Sequence, residues 1–400
     1  MRVRSCETYW LLKNGLINSY PSLRDNITCD VLVIGGGITG SLMAWQSASE
    51  GHDTVLIDRN DVSLGSTSAT TALLQYEIDI PLYKLATIVG ECTARDCYRA
   101  GVDAILKLEA IIKKANISCE YERQPSIYVA HSPPERENLL KELSCRRSAG
   151  IEVDWVDQRD LMKYYGVQGF GAIRSAVGAC LDGYCLSHAL FSDASSNHSL
   201  RIYDHTEIDA IAYGSTTNNV HVKGGWSVRA GKIVFAMGYE SISFFKKKIA
   251  DLISTYACVS EPVDIPQPLR KNIFWNTDDP YLYLRSTADN RILFGGADVR
   301  FRNASARDSL IDKKEAVLVK QLKALVPELT IIPDFTWAGT FGVTKDALPY
   351  IGEHPDYPNS YFVMCFGGNG ITFSIMAMEI LSDVLSGRTN RLLEYFRFTR

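Results

Sequence analysis

The chain of 400 residues holds no run of 18 apolar residues, so no membrane-spanning helix is expected. Its first residues, MRVRSCETYWLLKNGL, are basic at the outset but lack the apolar stretch of a secretory signal. A cytoplasmic location is the expectation. An excess of one charge is also missing. Forty-two basic against 46 acidic residues give a net charge of −4, which leaves no electrostatic footprint for nucleic acid or an anionic membrane. The ten cysteines form no C-x-x-C pair and the seven histidines no H-x-x-x-H pair. That pattern argues against the usual metal spacings and predicts reduced thiols and no metal site. No Ser/His/Asp or paired-carboxylate constellation, internal repeat or low-complexity stretch is evident. What remains is an ordinary globular composition, 46% hydrophobic and 22% charged, on a chain long enough for two domains.

The informative stretch is CDVLVIGGGITGSLMAWQSASEGHDTVLID, residues 29–58. An apolar run, Val31 to Ile34, enters glycines spaced G-x-G-x-x-G at Gly35, Gly37 and Gly40. Helical sequence follows, then a second apolar run ending in Asp58. In this pattern the first glycine permits the strand-to-helix turn. The second lets the backbone approach a pyrophosphate, and the third lets helix and strand pack closely. The helix N-terminus at Ile38 and Thr39 offers free N–H groups to phosphate. Asp58 lies 18 residues after Gly40, placed to accept bonds from a ribose hydroxyl. A dinucleotide site is the expectation.

Farther along, residues 1–29 read as an extended lead-in, with Pro21 and Asn26 as breakers. Residues 59–82 are too rich in Ser, Thr and Gly to form one regular element. Val102, Ile105, Leu108 and Ile112 recur at helical spacing within 95–115. A strand is predicted over 126–130, and helical sequence over 134–148 and 158–165. Another helix is predicted around 186–195, after Asp182–Gly183. Strands are predicted over 220–222 and 232–238, β-rich sequence over 250–300, and a helix over 308–325. A buried strand over 361–366 runs into Gly367-Gly-Asn-Gly, followed by a helix over 372–385 that Gly387 stops. Strand–glycine–helix units thus occupy both ends of the chain, with β-rich sequence between them.

Six segments together resemble the D-amino-acid-oxidase-like flavoproteins, which include glycine oxidase, sarcosine oxidase and γ-glutamylputrescine oxidase. They are 30–58; GSTSATTALLQYEID, 65–79; FAMGYE, 235–240, with Met237 where the family's A-T-G pattern has Thr; YLYLR with ILFGGAD, 281–285 and 292–298; WAGTFGVTKDALPYIG, 337–352; and CFGGNGITFS, 365–374. The resemblance covers nearly the whole chain, and the ETYW segment is most similar to the γ-glutamylputrescine-oxidase-like branch. Some relatives carry a C-terminal Rieske domain, and no cysteine–histidine pairs for such a cluster are present before Arg400.

The resemblance implies an α/β (overall α+β) fold. A Rossmann-like FAD-binding domain would be built from discontinuous segments 30–82, 170–240 and 335–400. Residues 83–169 and 241–334 would form an inserted substrate domain with a mixed or antiparallel sheet. The cofactor would be FAD, held by Gly35, Gly37, Ile38, Thr39, Gly40, Asp58, Arg59, Ser66, Thr67, Thr70 and Gly238, together with Gly368, Asn369, Gly370, Ile371 and Thr372 at the last helix. Sarcosine oxidase holds its flavin through a cysteine near the position of Phe341. No cysteine stands between Cys258 and Cys365, so non-covalent FAD is implied.

On the substrate side the resemblance points to Tyr281, Asp298 and Phe341. Amino-acid oxidases of the family place an arginine in the W-A-G segment to clamp a carboxylate, and this chain has Thr340–Phe341 there. A guanidinium fork has no substitute in Phe. Asp298 would attract a cationic amine. Tyr281 reads equally as a sheet residue, Asp298 as a solvated strand end, and Arg285 as a structural residue or a carboxylate ligand. Gln75 and Tyr76 are candidates to face the flavin. The implied activity is oxidation of a C–N bond of an amine, by hydride transfer to flavin N5 and hydrolysis of the imine. Oxygen, a quinone or another acceptor would take the electrons. An oxidase or dehydrogenase of a small amino acid, a flavin reductase using a nicotinamide cofactor and a non-catalytic flavin-binding protein stand as alternatives. The absence of a second G-x-G-x-x-G weighs against the reductase.

Overall fold

A computed structural model of the chain describes all residues except Met1, Cys6 and Cys365. Two sheets of eight strands each, counted among the described residues, organise it. In the first, the strand Ile27–Ile34 lies at the centre, parallel to Thr54–Ile57 on one side and to Ser227–Phe235 on the other. The sheet continues to Leu200–Tyr203 and, past 227–235, to the parallel strand Ser360–Met364. A central parallel strand is buried on both faces, which is why Val31–Ile34 and Thr54–Ile57 read as unbroken apolar runs rather than alternating ones. The helices Ile38–Ser49, Glu91–Lys114, Gly183–Asn197 and Gly370–Leu385 pack together over this sheet. The carboxylate of Asp182 accepts both Tyr184 N–H and Cys185 N–H at 2.9 Å and so starts the third of these helices.

The second sheet is mostly antiparallel, in the order 333–343, 251–260, 292–300, 282–286, 273–276, 126–129, 172–175, 153–156. One parallel pair, 273–276 with 126–129, joins its two halves. Two of its strands fall in stretches that the sequence suggested for the nucleotide-binding part. Pro333–Val343 pairs along its length with Asp251–Ser260, and Ala172–Ser175 is held between Ser126–Val129 and Val153–Val156. Backbone pairing with distant partners decides both assignments, and local sequence carries no trace of it.

The N-terminal segment also departs from an extended lead-in. Tyr9–Asn14 is a helix, and the first strand already begins at Ile27. Tyr9 and Trp10 are buried, packed with Tyr184, Leu293 and Trp337. Just before them, Ser5 N–H donates to Ala338 O at 2.9 Å and Ala338 N–H to Ser5 Oγ at 3.1 Å, which ties the segment to the strand 333–343. Among the described residues no helix is long and apolar enough to cross a membrane.

Candidate active site

One cavity of about 1450 Å³ is lined by residues of both sheets. From the first sheet it takes Gly35, Gly37, Ile38, Thr39, Asp58 and Arg59. The turn here is tight. Gly35 has φ +105°, and a Cβ on Gly40 would lie 1.8 Å from Gly35 O, so Gly40 packs on the turn instead of lining the cavity. The free N–H of Ile38 at the helix start is taken by Thr67 Oγ1 at 2.8 Å, a cap supplied from the loop 29 residues on. Asp58 Oδ2 accepts Gly36 N–H at 2.7 Å and Oδ1 accepts Asn60 N–H at 2.8 Å. Burial pushes this carboxyl above its ordinary range, and the two N–H groups oppose that push. Arg59 is paired with Glu240, Nη2 to Oε1 at 2.6 Å.

The loop 64–71 lines the same cavity through Ser66, Thr67, Thr70 and Thr71. Its carbonyls are bracketed by donors from far away in sequence. Arg4 Nε donates to Leu64 O at 2.7 Å, Trp337 Nε1 to Ala69 O at 2.8 Å, Trp10 Nε1 to Thr70 O at 2.6 Å and Arg285 Nε to Thr71 O at 2.9 Å. Around the short helix Ser66–Ala69, side-chain donors thereby satisfy carbonyls of an otherwise irregular backbone.

The turn Gly367–Gly370 meets both sheets. Gly367 N–H donates to Gly342 O at 3.0 Å. Gly368 N–H donates to Asp79 Oδ2 at 2.9 Å, and Asn369 Nδ2 donates to Glu77 O at 2.7 Å. Thr372 Oγ1 donates to Gln75 O at 2.9 Å, so Thr372 ties the segment after Leu74 to the last long helix and does not line the cavity. Gly238, Gly368, Asn369, Gly370 and Ile371 do line it. Cys365, at the head of the sixth segment, lies outside the described residues.

Tyr281 and Phe341 line the cavity from the second sheet, and Gln75 lines it too. Tyr76 does not. It is buried, with its hydroxyl 2.7 Å from Ser175 Oγ. Arg285 is structural: its Nε and Nη2 donate to the carbonyls of Thr71 and Leu181, both at 2.9 Å, and its guanidinium lies over Trp10. Asp298 stands against Tyr281 and Thr255 rather than on the wall, and its Oδ1 is buried without a hydrogen-bond partner. It is therefore no solvated strand end. Burial pushes its carboxyl up to about 6, the nearby Asp79 adds to the rise, and the Thr255 and Tyr281 hydroxyls and Lys314 oppose it. The same cluster holds the Tyr281 phenol well above its usual value, through burial first and then the charges of Asp298 and Asp79.

Sequence reasoning missed three features of this region. Asp79 is exposed, but to the cavity, and the protein crowding it still raises its carboxyl. It is the last residue of the second family-like segment, and its position there was the available signal. Tyr128 and Trp275 stack with ring centroids 3.5 Å apart and line the cavity together. Arg146 is wholly buried between Glu142, 2.7 Å from its Nε, and Glu77, 3.1 Å from its Nη1. The Glu142 carboxylate also accepts the N–H groups of Leu82 and Tyr83 at a helix start, so this network fixes the segment that carries Asp79.

Comparison with known proteins matches this architecture. The family model for FAD dependent oxidoreductase (DAO) matches residues 30–384. Gamma-glutamylputrescine oxidoreductase of Escherichia coli is 25% identical over 395 residues, covering 96% of this chain and 90% of that protein. Glycine oxidase of Geobacillus kaustophilus is 22% identical over 391 residues, covering 93% and 97%. The crystal structure of glycine oxidase from that organism superposes with a TM-score of 0.76 at 19% identity, covering 93% of this chain and 99% of that one.

Proposed function

The chain belongs to the DAO family of FAD-dependent oxidoreductases, and from that premise we propose that it oxidises a C–N bond of a cationic amine that lacks an adjacent carboxylate. One observation carries the choice of substrate: among the described residues, the arginines on the cavity wall are engaged within the protein rather than presented to a carboxylate. Arg2 pairs with Asp308, Arg4 with the carbonyls of Leu64 and Ser5, and Arg59 with Glu240. Phe341 occupies the position where amino-acid oxidases of the family carry their clamp, and the wall of the same cavity carries Asp79 and Tyr281. Relatedness to the E. coli protein, whose name specifies a putrescine derivative, supports the same reading.

The residues present fit FAD. The glycine turn, the start of the helix Ile38–Ser49, Asp58 and the turn Gly367–Gly370 lie along one continuous cavity. Gly35, Gly37 and the Ile38 helix start would hold the pyrophosphate and Asp58 the ribose. The N-terminus of the helix Gly370–Leu385 would favour negative charge on the ring system. When bound, FAD supplies the acceptor for a hydride. The chain's own residues bind the ammonium group, receive its proton at a carboxylate oxygen and keep the reacting carbon away from bulk water. No strong base is required, because removal of one N–H proton leaves an amine lone pair able to form the imine as hydride departs.

Anaerobic bleaching of the yellow protein tests this against n-butylamine, putrescine, N-methylbutylamine, glycine, sarcosine and D-alanine. Bleaching by the amines is expected. Faster bleaching by the three amino acids would overturn the reading. Re-oxidation by air or by a quinone then identifies the electron acceptor. Acid precipitation should release the flavin, since the cysteine-free span between Cys258 and Cys365 supports non-covalent attachment.

A further inference from the structure

We propose that Asp79 is the specificity-determining residue of this site: its carboxylate receives the substrate's ammonium group beside the Gly367–Gly370 turn, with Asp298 as a second acid against Tyr281. The proposal rests on the amine reading above and names the group that recognises the amine.

The first argument is how Asp79 is held. Its Oδ2 accepts Gly368 N–H at 2.9 Å and its Oδ1 lies 3.4 Å from Asn369 Nδ2. Both partners are neutral, so they orient the carboxylate without cancelling its charge. Its contact with the turn is close enough that a Cβ on Gly367 would lie 2.2 Å from Oδ2. The side chain is open to the cavity. A fixed carboxylate that faces a cavity with only neutral partners is suited to hold a cation.

The second argument starts from Asp298. Asp298 Oδ1 is buried without a hydrogen-bond partner, a costly state for a carboxylate. The cation that acts on Asp298, Lys314, donates its Nζ to Ala297 O at 2.5 Å. An ammonium group carries up to three N–H donors. Seated at Asp79, it adds a positive charge next to Asp298 and offsets the repulsion between the two acids.

The third argument is the wall. Tyr128 and Trp275 stack in the same cavity, and the Trp275 indole N–H is engaged with Ser126 Oγ at 3.1 Å. What this pair offers a ligand is therefore apolar ring surface, suited to an alkyl chain and to a cation next to an aromatic face. An amino-acid carboxylate placed here would meet two acids and no guanidinium.

The test uses the FAD-loaded protein and reads the dissociation constant for n-butylamine and putrescine from the saturation of anaerobic bleaching. Neutral n-butanol, followed by perturbation of the flavin spectrum, is the control. Asp79→Asn keeps an acceptor for Gly368 N–H, so the turn should stand. A rise of tenfold or more in the amine constants, with n-butanol binding unchanged and with Asp79→Glu recovering part of the loss, is expected. Wild-type amine constants in Asp79→Asn would overturn the proposal. Should that variant fail to load FAD, Asp298→Asn decides, because it does not touch the turn. A rise of threefold or more there supports the paired-acid site, and no change overturns it. If the wild type bleaches with glycine or sarcosine and with no amine, the amine reading itself has failed, which is a different result from either variant's.

Discussion

The two parts of the cavity are built by opposite means. The part on the first sheet is backbone: a glycine turn, two helix starts and a loop whose carbonyls are tied off elsewhere. The part facing the second sheet is side chains brought from residues 75, 77–79, 128, 275–278, 281, 283 and 341. A backbone site tolerates little change at a few positions and recognises a group common to many ligands. A side-chain site can be rewritten one residue at a time. The difference teaches why the family relationship is firm here while the substrate has to be argued residue by residue.

The largest effect should follow from breaking the backbone part. Gly40→Val would drive a Cβ to 1.8 Å from Gly35 O, a backbone atom that cannot step aside. We expect complete loss of FAD, read as the flavin-to-protein absorbance ratio of the purified variant. Gly37→Val should be milder, though still severe, because the nearest atom to its Cβ is the movable Thr67 Oγ1 at 3.0 Å. That hydroxyl caps Ile38 N–H, so displacing it also frees a helix-end donor. Equal FAD content in both variants would show that the steric ranking is wrong.

Sequence legibility follows the same division. The turn at Gly35–Gly40 and Asp58 could be read because every participant lies within one β-α-β unit, where spacing alone fixes geometry. The loop 64–71 could be located but not understood, since its donors Arg4, Trp10, Arg285 and Trp337 come from three distant segments. Tyr76 was misread for a local reason. On a stretch that alternates faces, Gln75 meets the cavity and Tyr76 must turn inward to Ser175. Arg285 reads ambiguously in sequence because guanidinium serves carboxylates and backbone carbonyls alike; only the positions of Thr71 O and Leu181 O resolve it. Asp79 and Asp298 are 219 residues apart, and nothing in local pattern announces that two acids so separated share one neighbourhood.

A smaller effect should come from the support under the side-chain part. Arg146 neutralises Glu77 and Glu142 in a fully buried network. Arg146→Met leaves both acids without their cation, and breaking a buried pair from one side costs about 3–5 kcal/mol. Chemical denaturation of the FAD-loaded protein should show a loss of that order. The triple change Glu77→Gln, Glu142→Gln, Arg146→Met should recover much of it, because no uncompensated charge then remains. A triple variant no more stable than the single one would mean that hydrogen bonds, such as those from Glu142 to Leu82 and Tyr83, outweigh charge in this network.

The smallest effect is one of pH, and it separates the two parts most sharply. The Asp298 carboxyl, pushed up to about 6, faces Thr255, Tyr281, Asp79 and Lys314. Its folded value lies above the ordinary carboxylate value of 3.8. Between about pH 4 and 6 the folded chain therefore holds a proton that the unfolded chain has released. Stability contributed by this group is present below that window and is lost as pH rises through about 6. Amine affinity should move the other way. An alkylammonium stays charged across pH 5 to 8, and it gains an ionised neighbour as Asp298 loses its proton. The dissociation constant for n-butylamine should fall as pH rises through about 6, approaching tenfold per unit below the midpoint if binding requires the ionised acid. Asp298→Asn should remove the step that Asp298 contributes and leave the share of Asp79, whose carboxyl is also raised, while FAD retention, which depends on the backbone part, should not follow the profile in either protein. Thermal shifts supply the complementary reading: n-butylamine should raise the melting temperature more at pH 7 than at pH 5. A ligand shift that is equal at the two pH values would show that Asp298 does not sense the bound amine, and would leave the recognition of charge to Asp79 alone.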